Sequence, residues 1–483
     1  MALAMVLFPL LMAALAALVS SNRLRPWILP IAAVGELIML VAIFVAPSLM
    51  GITGVPDGGE LFNLDAAGRI VLLVVIVLFV FCAFYAVGYL HYRAERPNRV
   101  FVAGLLGFLA GANLAAWSRH LGLMWVAIEA MTLSTAPLIY FNNSKRSIEA
   151  TWKFLLVGSV GIALALLGTF FLAYSSLRAG MDATMTLDVL VRDAPLLSKS
   201  WLKAAFILAL VGYGTKMGLA PMHTWKPDAY GEAPGVVGAV FAGGVTSIAF
   251  LAFLRFYQVV AAAGELDFAS PLLLFMGLFS MAVAGLFMLG QQDFKRMLAY
   301  SSVEHMGILM IGLGLGGPAL FGVMLHLVTN GATKGVLFLS AGNIHRAYAS
   351  KNTDQVRGAL RRLPLSAGLF LAAFLAITGS PPFGPFVSEF AILNGAFGTG
   401  HFVTAGLFLL FLFVVFIGMG KTVLKVVQGR APLESFENPY HDGVLTALPL
   451  VLLMTIVLAL GLVIPSPLAS LISDAAALVG GKP

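Results

Sequence analysis

Long apolar segments alternate with short polar ones from the first residues of the chain almost to its end. A helix that crosses a bilayer needs about 20 apolar residues, and such segments recur throughout. The pattern predicts an all-α polytopic membrane protein with about fourteen transmembrane helices and no separate water-soluble domain. The predicted spans are 3–20, 26–47, 70–92, 99–117, 120–141, 152–174, 201–219, 235–260, 270–291, 297–316, 319–343, 365–397, 402–428 and 444–464.

The composition narrows the classes of function that the chain can have. Apolar residues make up 60% of the 483 positions and charged residues 11%, whereas soluble proteins carry about 25% charged residues. Cys82 is the single cysteine, so it cannot form an intrachain disulfide, a zinc site or an iron–sulfur cluster. We therefore expect no metal and no cofactor in this chain, and any redox centre in another polypeptide.

Basic residues concentrate in the odd-numbered loops between the predicted spans, and several even-numbered loops carry acidic residues instead. Because lysine and arginine collect on the cytoplasmic side, we expect a multi-pass protein of the bacterial inner membrane with both termini in the periplasm. The same distribution accounts for the net charge of +7 without a nucleic-acid partner. The basic loops include Arg23, Arg25, Arg93, Arg96, Arg99, Lys145, Arg146, Lys295, Arg296 and Arg346, and the acidic loops include Asp57, Glu60, Asp65, Asp182, Asp188 and Asp193.

Two predicted spans are interrupted by proline and glycine, in GYGTKMGLAPMHTWKPDAYGEAPG and in AITGSPPFGPFVSEFAIL. Proline breaks the helical hydrogen-bond ladder, and the freed backbone groups must be satisfied within the protein or by a water-filled cavity. Each break falls in the fourth of five consecutive spans, which predicts two inverted five-helix repeats. Two unrelated proline kinks are the alternative. The predicted divisions are 1–98, 99–260, 261–430 and 431–483.

Two buried charges are predicted in the first repeat. Glu129 lies about ten residues into the fifth span, and Lys216 precedes the first break. A charge at the bilayer centre costs about 2.5–3.5 kcal/mol on insertion scales, so opposite charges at similar depth are natural partners. They form either a structural ion pair or a switchable pair, because burial disfavours a charged lysine once its partner is withdrawn.

The second repeat contains a polar stripe and two further candidates. His326, Asn330 and Lys334 are four residues apart and therefore share one helix face. They form either a proton wire or a satisfied structural contact. His305 titrates near neutral pH in water, so it either relays a proton or holds a helix contact through Ser301.

Glu389 follows the second break among large apolar side chains. Burying a glutamate inside a membrane costs free energy that packing alone does not offset. We therefore place it at the far end of a proton path.

Four segments carry a resemblance to a known family. KMGLAPMHTWKPDAYGEAP, DFKRMLAYSSVEHMG, HLVTNGATKGVLFLSAG and SPPFGPFVSEFAIL resemble, in the same order, the antiporter-like proton-translocating subunits of complex I, membrane-bound hydrogenases and Mrp antiporters. The form SSVEHMG, with its Glu304, is most similar to the hydrogenase-4 component F type.

The resemblance implies fourteen helices with the inverted repeat and a set of site residues. It implies a glutamate–lysine pair at Glu129 and Lys216, a helix bearing His326 and Lys334, and an ionisable group at Glu389 on the second broken helix.

The chain departs from the family pattern at two places. Ser247 stands where many members carry a lysine in the eighth span, so we expect water to bridge the two halves there. Asn330 stands where a second histidine is often found. Ser247, Asn330, Glu304 and His223 are therefore secondary candidates beside the main path of Glu129, Lys216, His305, His326, Lys334 and Glu389.

The sequence as a whole predicts a proton-conducting membrane subunit of a redox-driven respiratory or hydrogenase complex. The expected partners are other integral membrane subunits, a peripheral redox module of hydrogenase-like or NADH-dehydrogenase-like type, and lipid. An Mrp-type Na⁺/H⁺ antiporter subunit is the alternative. A purely structural membrane subunit and a quinone-reducing enzyme are weaker alternatives, the last because the chain offers no redox ligand.

Overall fold

The computed structural model describes residues 1–46 and 61–480, and the regular secondary structure in these ranges is helical. Fourteen helical spans follow one another, in agreement with the prediction from the apolar segments. Asp57 and Glu60, which were expected in an acidic loop, lie outside the described residues. The first three spans precede the repeats: they are α1 (Ala2–Leu18), α2 (Ile28–Val45) and α3 (Ala66–His91).

The first five-span repeat contains one broken helix and one helix with a π-helical turn. Its helices are α4 (Arg99–Trp117), α5 (Leu121–Ile139), α6 (Lys145–Arg178), the short α7 (Leu187–Arg192), α8 (Lys199–Met217), α9 (Trp225–Glu232), α10 (Gly235–Ala239) and α11 (Thr246–Ala262). The broken span consists of α8 and α9. A π-helical turn, Val240–Val245, joins α10 to α11 in one continuous span.

The second repeat also has its broken helix in fourth place. Its helices are α12 (Leu266–Met288), α13 (Phe294–Leu315), α14 (Ala319–Tyr348), the short α15 (Ala359–Arg362), α16 (Pro364–Ile377), α17 (Gly384–Gly398) and α18 (Phe402–Val427). The broken span consists of α16 and α17. Because each repeat has an odd number of spans, the second begins on the opposite side of the membrane from the first.

We name the two sides by their charges. The basic face is the side on which α3 ends and α4 begins, beside Arg93 and Arg96, and the acidic face is the side on which α3 begins, beside Asp65. The chain continues past the repeats with the short α19 (Glu434–Glu437), the last span α20 (Val444–Leu462) and α21 (Ser466–Val479). Helix α21 is an amphipathic helix that packs on α3 and α14, and the apolar segments did not predict it.

Burial separates inner spans from lipid-facing ones. Ten helices of the described part are long and apolar enough on their own to cross a membrane. The most apolar stretch of the Gly235–Ala262 span is 100% buried and that of α13 is 94% buried, against 33% for α18. The inner spans therefore meet other helices rather than lipid, and polar groups on them can find partners.

Both breaks begin at a glycine in the left-handed region of backbone space. Gly218, with φ 78°, ends α8, and Gly379, with φ 69°, follows α16. Other side chains disfavour this conformation. The loose end of α8 is held in place because Trp225 Nε1 donates a hydrogen bond to Thr215 O at 2.9 Å and Ala220 N donates one to Ser280 Oγ at 3.0 Å.

A buried charge cluster fastens the acidic face. Asp65 is the N-cap of α3, and its carboxylate accepts hydrogen bonds from Arg255 at 2.5 and 2.9 Å and from Arg119 at 2.7 Å. Arg119 also binds Asp188 on α7. Burial alone would raise the pKa of Asp65, but Arg255, Arg119 and the Gly68 amide hold that pKa well below its ordinary value. The cluster ties α3, α7, α11 and the α4–α5 turn together.

Candidate functional site

Two histidines on neighbouring inner helices lie side by side at the centre of the second repeat. His305 on α13 and His326 on α14 are both 0% exposed. His305 Nδ1 lies 3.0 Å from His326 Nε2, and His326 Nδ1 lies 2.9 Å from Ser388 Oγ on α17. Three helices thus contribute to one continuous hydrogen-bonded row, and the third of them begins at the second break.

The hydrogen bonds define the direction of this row. Ser388 Oγ donates to Pro385 O at 2.9 Å, so its oxygen accepts the proton on His326 Nδ1. A neutral imidazole has one N–H and one acceptor nitrogen, so His326 Nε2 accepts from His305 Nδ1. This arrangement leaves the lone pair of His305 Nε2 free at the other end of the row.

Two buried carboxyl groups stand beside His305. Glu304 Oε2 lies 3.7 Å from His305 Nε2, and Glu389 Oε1 lies 3.9 Å from His305 Nδ1. Within residues 1–46 and 61–480, both oxygens of Glu304 and Oε1 of Glu389 have no hydrogen-bond partner. Such buried, unpaired polar atoms are rare in folded proteins and mark functional groups or unseen water.

Glu389 occupies its place because of the break before it. It lies in the first turns of α17, is 4% exposed and turns back toward Gly379. A Cβ atom on Gly379 would collide with Glu389 Oε2. Glycine is thus required at position 379 both by its φ angle and by the close approach of this carboxyl group.

The predicted polar stripe on α14 is present and fully buried, and its members bind different neighbours. His326 binds His305 and Ser388, whereas Lys334 Nζ donates to Ser301 Oγ on α13 at 2.6 Å. Ser301 therefore serves Lys334, not His305 as one of the two interpretations of the sequence had it. Asn330 Oδ1, between them on the helix, has no hydrogen-bond partner in the described part of the chain.

In the first repeat, Lys216 and Glu129 both lie against α6, at the adjacent residues Gly158 and Ser159. Lys216 is 0% exposed, and its Nζ lies 4.7 Å from the centre of the Phe154 ring. Glu129, which was predicted to be buried, is only half-buried, because it lies on the outer side of α5, and its Oε1 accepts from Ser159 Oγ at 3.5 Å. Lys216 Nζ has no hydrogen-bond partner among the described residues. The two charges do not form the direct pair expected from the sequence, because α6 packs between α5 and α8.

The secondary candidates are less well connected. Ser247 Oγ donates to Gly243 O of its own helix at 2.7 Å, so its hydroxyl is already in use. His223 lies in the first break, with its ring 6.4 Å from the Phe287 ring and 6.1 Å from the Tyr300 ring. Its contacts are therefore mainly aromatic.

Lys226 is a fully buried lysine on α9 that the sequence analysis missed. Its Nζ donates to Met217 O at 2.5 Å and lies 3.4 Å from Ser302 O on α13. Its position between Trp225 and Pro227, in an interrupted span, could have identified it from the sequence. Ser388, the partner of His326, was also missed, although it stands directly before Glu389.

A polar cavity opens on the basic face beside α9. It has a volume of about 300 Å³, and its lining includes Lys153, Asp228 and Arg296. Asp228 binds Lys153 Nζ at 2.8 Å and also pairs with Arg296. The short helix α9 therefore carries Asp228 at this cavity and Lys226 in the protein interior.

One cluster has the donor atoms that a transition metal prefers. Ligand atoms of His305, His326 and Glu389 lie within 4.8 Å of one another. The two histidines, however, already use their facing nitrogens in a hydrogen bond with each other. A metal would have to break that bond, so the cluster suits a shared proton better.

The sequence matches one family along most of its length. The model of the family described as "NADH:quinone oxidoreductase/Mrp antiporter, TM" matches residues 118–415. A hydrogenase-4 component F homolog of Methylacidiphilum infernorum is 34% identical over 452 residues, which cover 92% of this chain and 91% of that protein. An NADH-quinone oxidoreductase subunit N of Desulforudis audaxviator is 32% identical over 358 residues, with 72% and 68% covered.

Solved structures with the same fold occur in membrane complexes. A chain of the membrane-bound sulfane sulfur reductase, an archaeal respiratory complex, superposes with a TM-score of 0.87 at 20% identity, covering 99% of this chain and 97% of that one. A chain of the Mrp complex from Dietzia sp. gives a TM-score of 0.85 at 22% identity, with the same coverage. At these identities the likeness shows the fold alone.

Proposed function

This chain belongs to the NADH:quinone oxidoreductase/Mrp antiporter membrane family, and on that premise we propose that it conducts protons across the membrane as a subunit of a redox-driven respiratory or hydrogenase complex. The observation that carries the proposal is the buried row Glu304–His305–His326–Ser388, which connects α13, α14 and the second broken span. A row of titratable groups in the interior of a membrane protein is costly unless it serves a function.

The row can pass a proton without moving the backbone. A side-chain rotation that closes the 3.7 Å gap lets a protonated Glu304 donate to His305 Nε2, and the His305 ring then gives its Nδ1 proton to His326 Nε2. His326 gives its Nδ1 proton to Ser388 Oγ while the Ser388 hydroxyl turns away from Pro385 O and releases its own proton to water at the second break. Each step then forms one N–H or O–H bond and breaks another, and the directions of the two hydrogen bonds made by His326 match this sequence.

Lys334 and Glu389 control the charge of this row. Lys334 lies two helical turns from His326, and Glu389 stands beside His305 on the other side. Groups at such distances in a medium of low polarity influence each other strongly. A proton on Lys334 therefore opposes a proton on the histidines, and a charged Glu389 attracts one.

In the first repeat, we assign Lys216 and Glu129 to the receiving half of the path. Lys216 stands at the end of α8, directly before the break, and Glu129 acts on it across α6 rather than through direct contact. A change in the charge of Glu129, imposed by a neighbouring subunit, shifts the preference of Lys216 for its proton.

The partners follow from what the described chain offers. We propose that other integral membrane subunits and a peripheral redox module of hydrogenase-like or NADH-dehydrogenase-like type hold the redox chemistry, and that this chain binds no cofactor. We place the protein in the bacterial inner membrane with the basic face in the cytoplasm and both termini in the periplasm. The cavity beside Asp228 is then the cytoplasmic mouth.

An Mrp-type Na⁺/H⁺ antiporter subunit is the second candidate. It is favoured by the family match and by the fold shared with a chain of the Mrp complex. Sodium prefers several oxygen ligands, whereas the centre of this site holds two imidazoles and two carboxyl groups. The composition of the site therefore favours protons.

Proton pumping by the intact complex tests the proposal. The complex is isolated through a tag on this chain, reconstituted in liposomes and energised by its own redox reaction. Lys216→Met and Glu389→Gln should each reduce the initial pumping rate by at least about tenfold, with assembly unchanged. Lys421→Met and Glu434→Gln, at exposed positions, are the matched controls. Unaltered pumping in both site variants would contradict the proposal.

A further inference from the structure

Lys226 occupies the space between the two halves of the candidate path. We propose that Lys226 is a third proton-carrying lysine, which connects Lys216 in the first repeat to Lys334 in the second. This inference rests on the proposed function and extends it to a lysine to which the sequence patterns gave no role. It gives the connection between the halves a titratable group of the chain itself, where the sequence had suggested Ser247 and water.

The two contacts of Lys226 point to the two neighbouring lysines. Met217, whose carbonyl accepts from Lys226 Nζ, is the residue after Lys216. Ser302, whose carbonyl lies 3.4 Å away, is the residue after Ser301, which binds Lys334. Lys226 Nζ therefore contacts the residue after Lys216 in the first repeat and the residue after Ser301, the partner of Lys334, in the second.

The fold makes room for this side chain at the first break. A Cβ atom at Gly218 would lie 2.5 Å from Lys226 Cδ and 3.1 Å from its Nζ. Gly218 therefore serves both the turn at the end of α8 and the passage of the lysine. Trp225, the preceding residue, fixes the start of α9 by its hydrogen bond to Thr215 O.

The charge around Lys226 permits it to lose and regain a proton. Its polar partners are carbonyl oxygens, and in the described ranges no carboxylate lies within salt-bridge distance of it. An ammonium group buried without a counter-ion is costly, so its neutral form is accessible. A lysine held in a buried ion pair would instead stay charged.

A structural role is the competing explanation. Lys226 meets the carbonyl of the last residue of α8, and a cation there stabilises the end of a helix. Arginine would supply that cation equally well, because it stays protonated in proteins. Arginine cannot, however, release the proton at any pH of interest. The Lys226→Arg variant therefore separates the two roles.

Glutamine gives an independent second variant. It has an N–H donor, is uncharged and is shorter than lysine, so it fits the space beside Gly218. Like arginine, it cannot accept and release a proton in this setting. Lys421→Arg and Lys421→Gln, at an exposed position on α18, report any general effect of the substitutions.

The experiment compares these variants in the intact complex in liposomes, with electron transfer and proton movement recorded together. Both Lys226→Arg and Lys226→Gln should lower the number of protons moved per electron, and the initial pumping rate by at least about tenfold, while redox turnover with an uncoupler persists. Pumping at the level of the unaltered complex in whichever of the two variants assembles overturns the inference. If neither assembles, Lys226 is structural, and the inference is likewise overturned.

Lys216→Met separates this inference from the proposed function. If Lys216→Met abolishes pumping and the Lys226 variants pump normally, only the role of Lys226 is refuted. If Lys216→Met and the Lys226 variants all pump normally, the proposed function fails as well.

Discussion

His305 Nδ1 and His326 Nε2 lie 3.0 Å apart, within the fully buried contact of α13 with α14. Because the Ser388 hydroxyl donates to Pro385 O, its oxygen accepts from His326 Nδ1. Each ring therefore has a defined tautomer, and His305 donates to His326. The contact thus joins two inner helices by a hydrogen bond, through which we propose that a proton passes.

Replacement of His326 by leucine should interrupt the row and leave the carboxyl groups in place. His305 Nδ1 then loses its acceptor, so the proton on Glu304 has no route to Ser388. We expect the initial pumping rate of the reconstituted complex to fall by roughly 10²-fold, the lower range for a positioned acid–base group. His441→Leu, at an exposed position, is the control. Pumping within twofold of normal would show that protons bypass the histidines.

Replacement of Gly379 by alanine should damage the second break. The left-handed φ of 69° alone makes alanine unfavourable by about 1–2 kcal/mol, and the new methyl group would also displace the carboxyl group of Glu389. We expect a lower thermal midpoint of the purified complex and reduced pumping. Gly398→Ala, where no atom lies within 4 Å of the added Cβ, should change neither. Equal stability of the two variants would contradict the described geometry.

Replacement of Asp65 by asparagine should weaken the charge cluster on the acidic face. Asparagine remains a good N-cap for α3, so the variant removes mainly the negative charge between Arg255 and Arg119. Removing one partner of a buried ion pair costs about 3–5 kcal/mol. We expect the thermal midpoint in detergent to drop accordingly at neutral pH. Asp193→Asn, in an exposed pair with Arg192, is the control and should leave the midpoint unchanged.

The same cluster predicts a pH dependence of stability. The pKa of Asp65 is lowered in the folded protein, so its contribution is fully present above the ordinary aspartate pKa of about 3.9. It is lost as the pH falls through the lower folded pKa. The difference in midpoint between the unaltered protein and Asp65→Asn should therefore be constant near neutral pH and narrow below about pH 4. A difference that grows on acidification would contradict the assignment.

The spans and the breaks could be predicted from the sequence because each depends on local physics. Apolar length determines which segments cross a bilayer, and proline with glycine determines where a helix stops, as at Gly218 and Gly379. The amphipathic helix α21 could not be predicted in this way, because its apolar face is too short to form a span. The helix is recognised from the structure, in which α3 and α14 cover its apolar face.

The partners of the predicted charges were harder to predict than their burial, which was wrong only for the half-buried Glu129. A helical period shows which residues share a face, as for His326 and Lys334, but not which neighbouring helix meets that face. One of the two interpretations of the sequence thus paired Ser301 with His305, although it binds Lys334. Lys226 was missed because the backbone between α8 and α9 is irregular. The helical period of α8 therefore does not show which way a side chain on α9 points.

Sodium should not be needed for proton movement. The central cluster combines its two carboxyl groups with two imidazoles, which are poor ligands for sodium. Replacing sodium by choline in the liposome medium should therefore leave the initial pumping rate unchanged. The measurement is the same pH-dye assay on the unaltered complex, with residual sodium kept below the micromolar range. A rate that rises in proportion to added sodium would favour the Mrp-type alternative.

The most direct test of the buried path is the number of protons moved per electron in a complex that carries Lys334→Met. Lys334 is 0% exposed and donates its hydrogen bond to Ser301 inside the protein. The account predicts a fully assembled complex whose redox turnover persists and whose proton-to-electron ratio is clearly below that of the unaltered complex. An unchanged ratio in the assembled variant would contradict it.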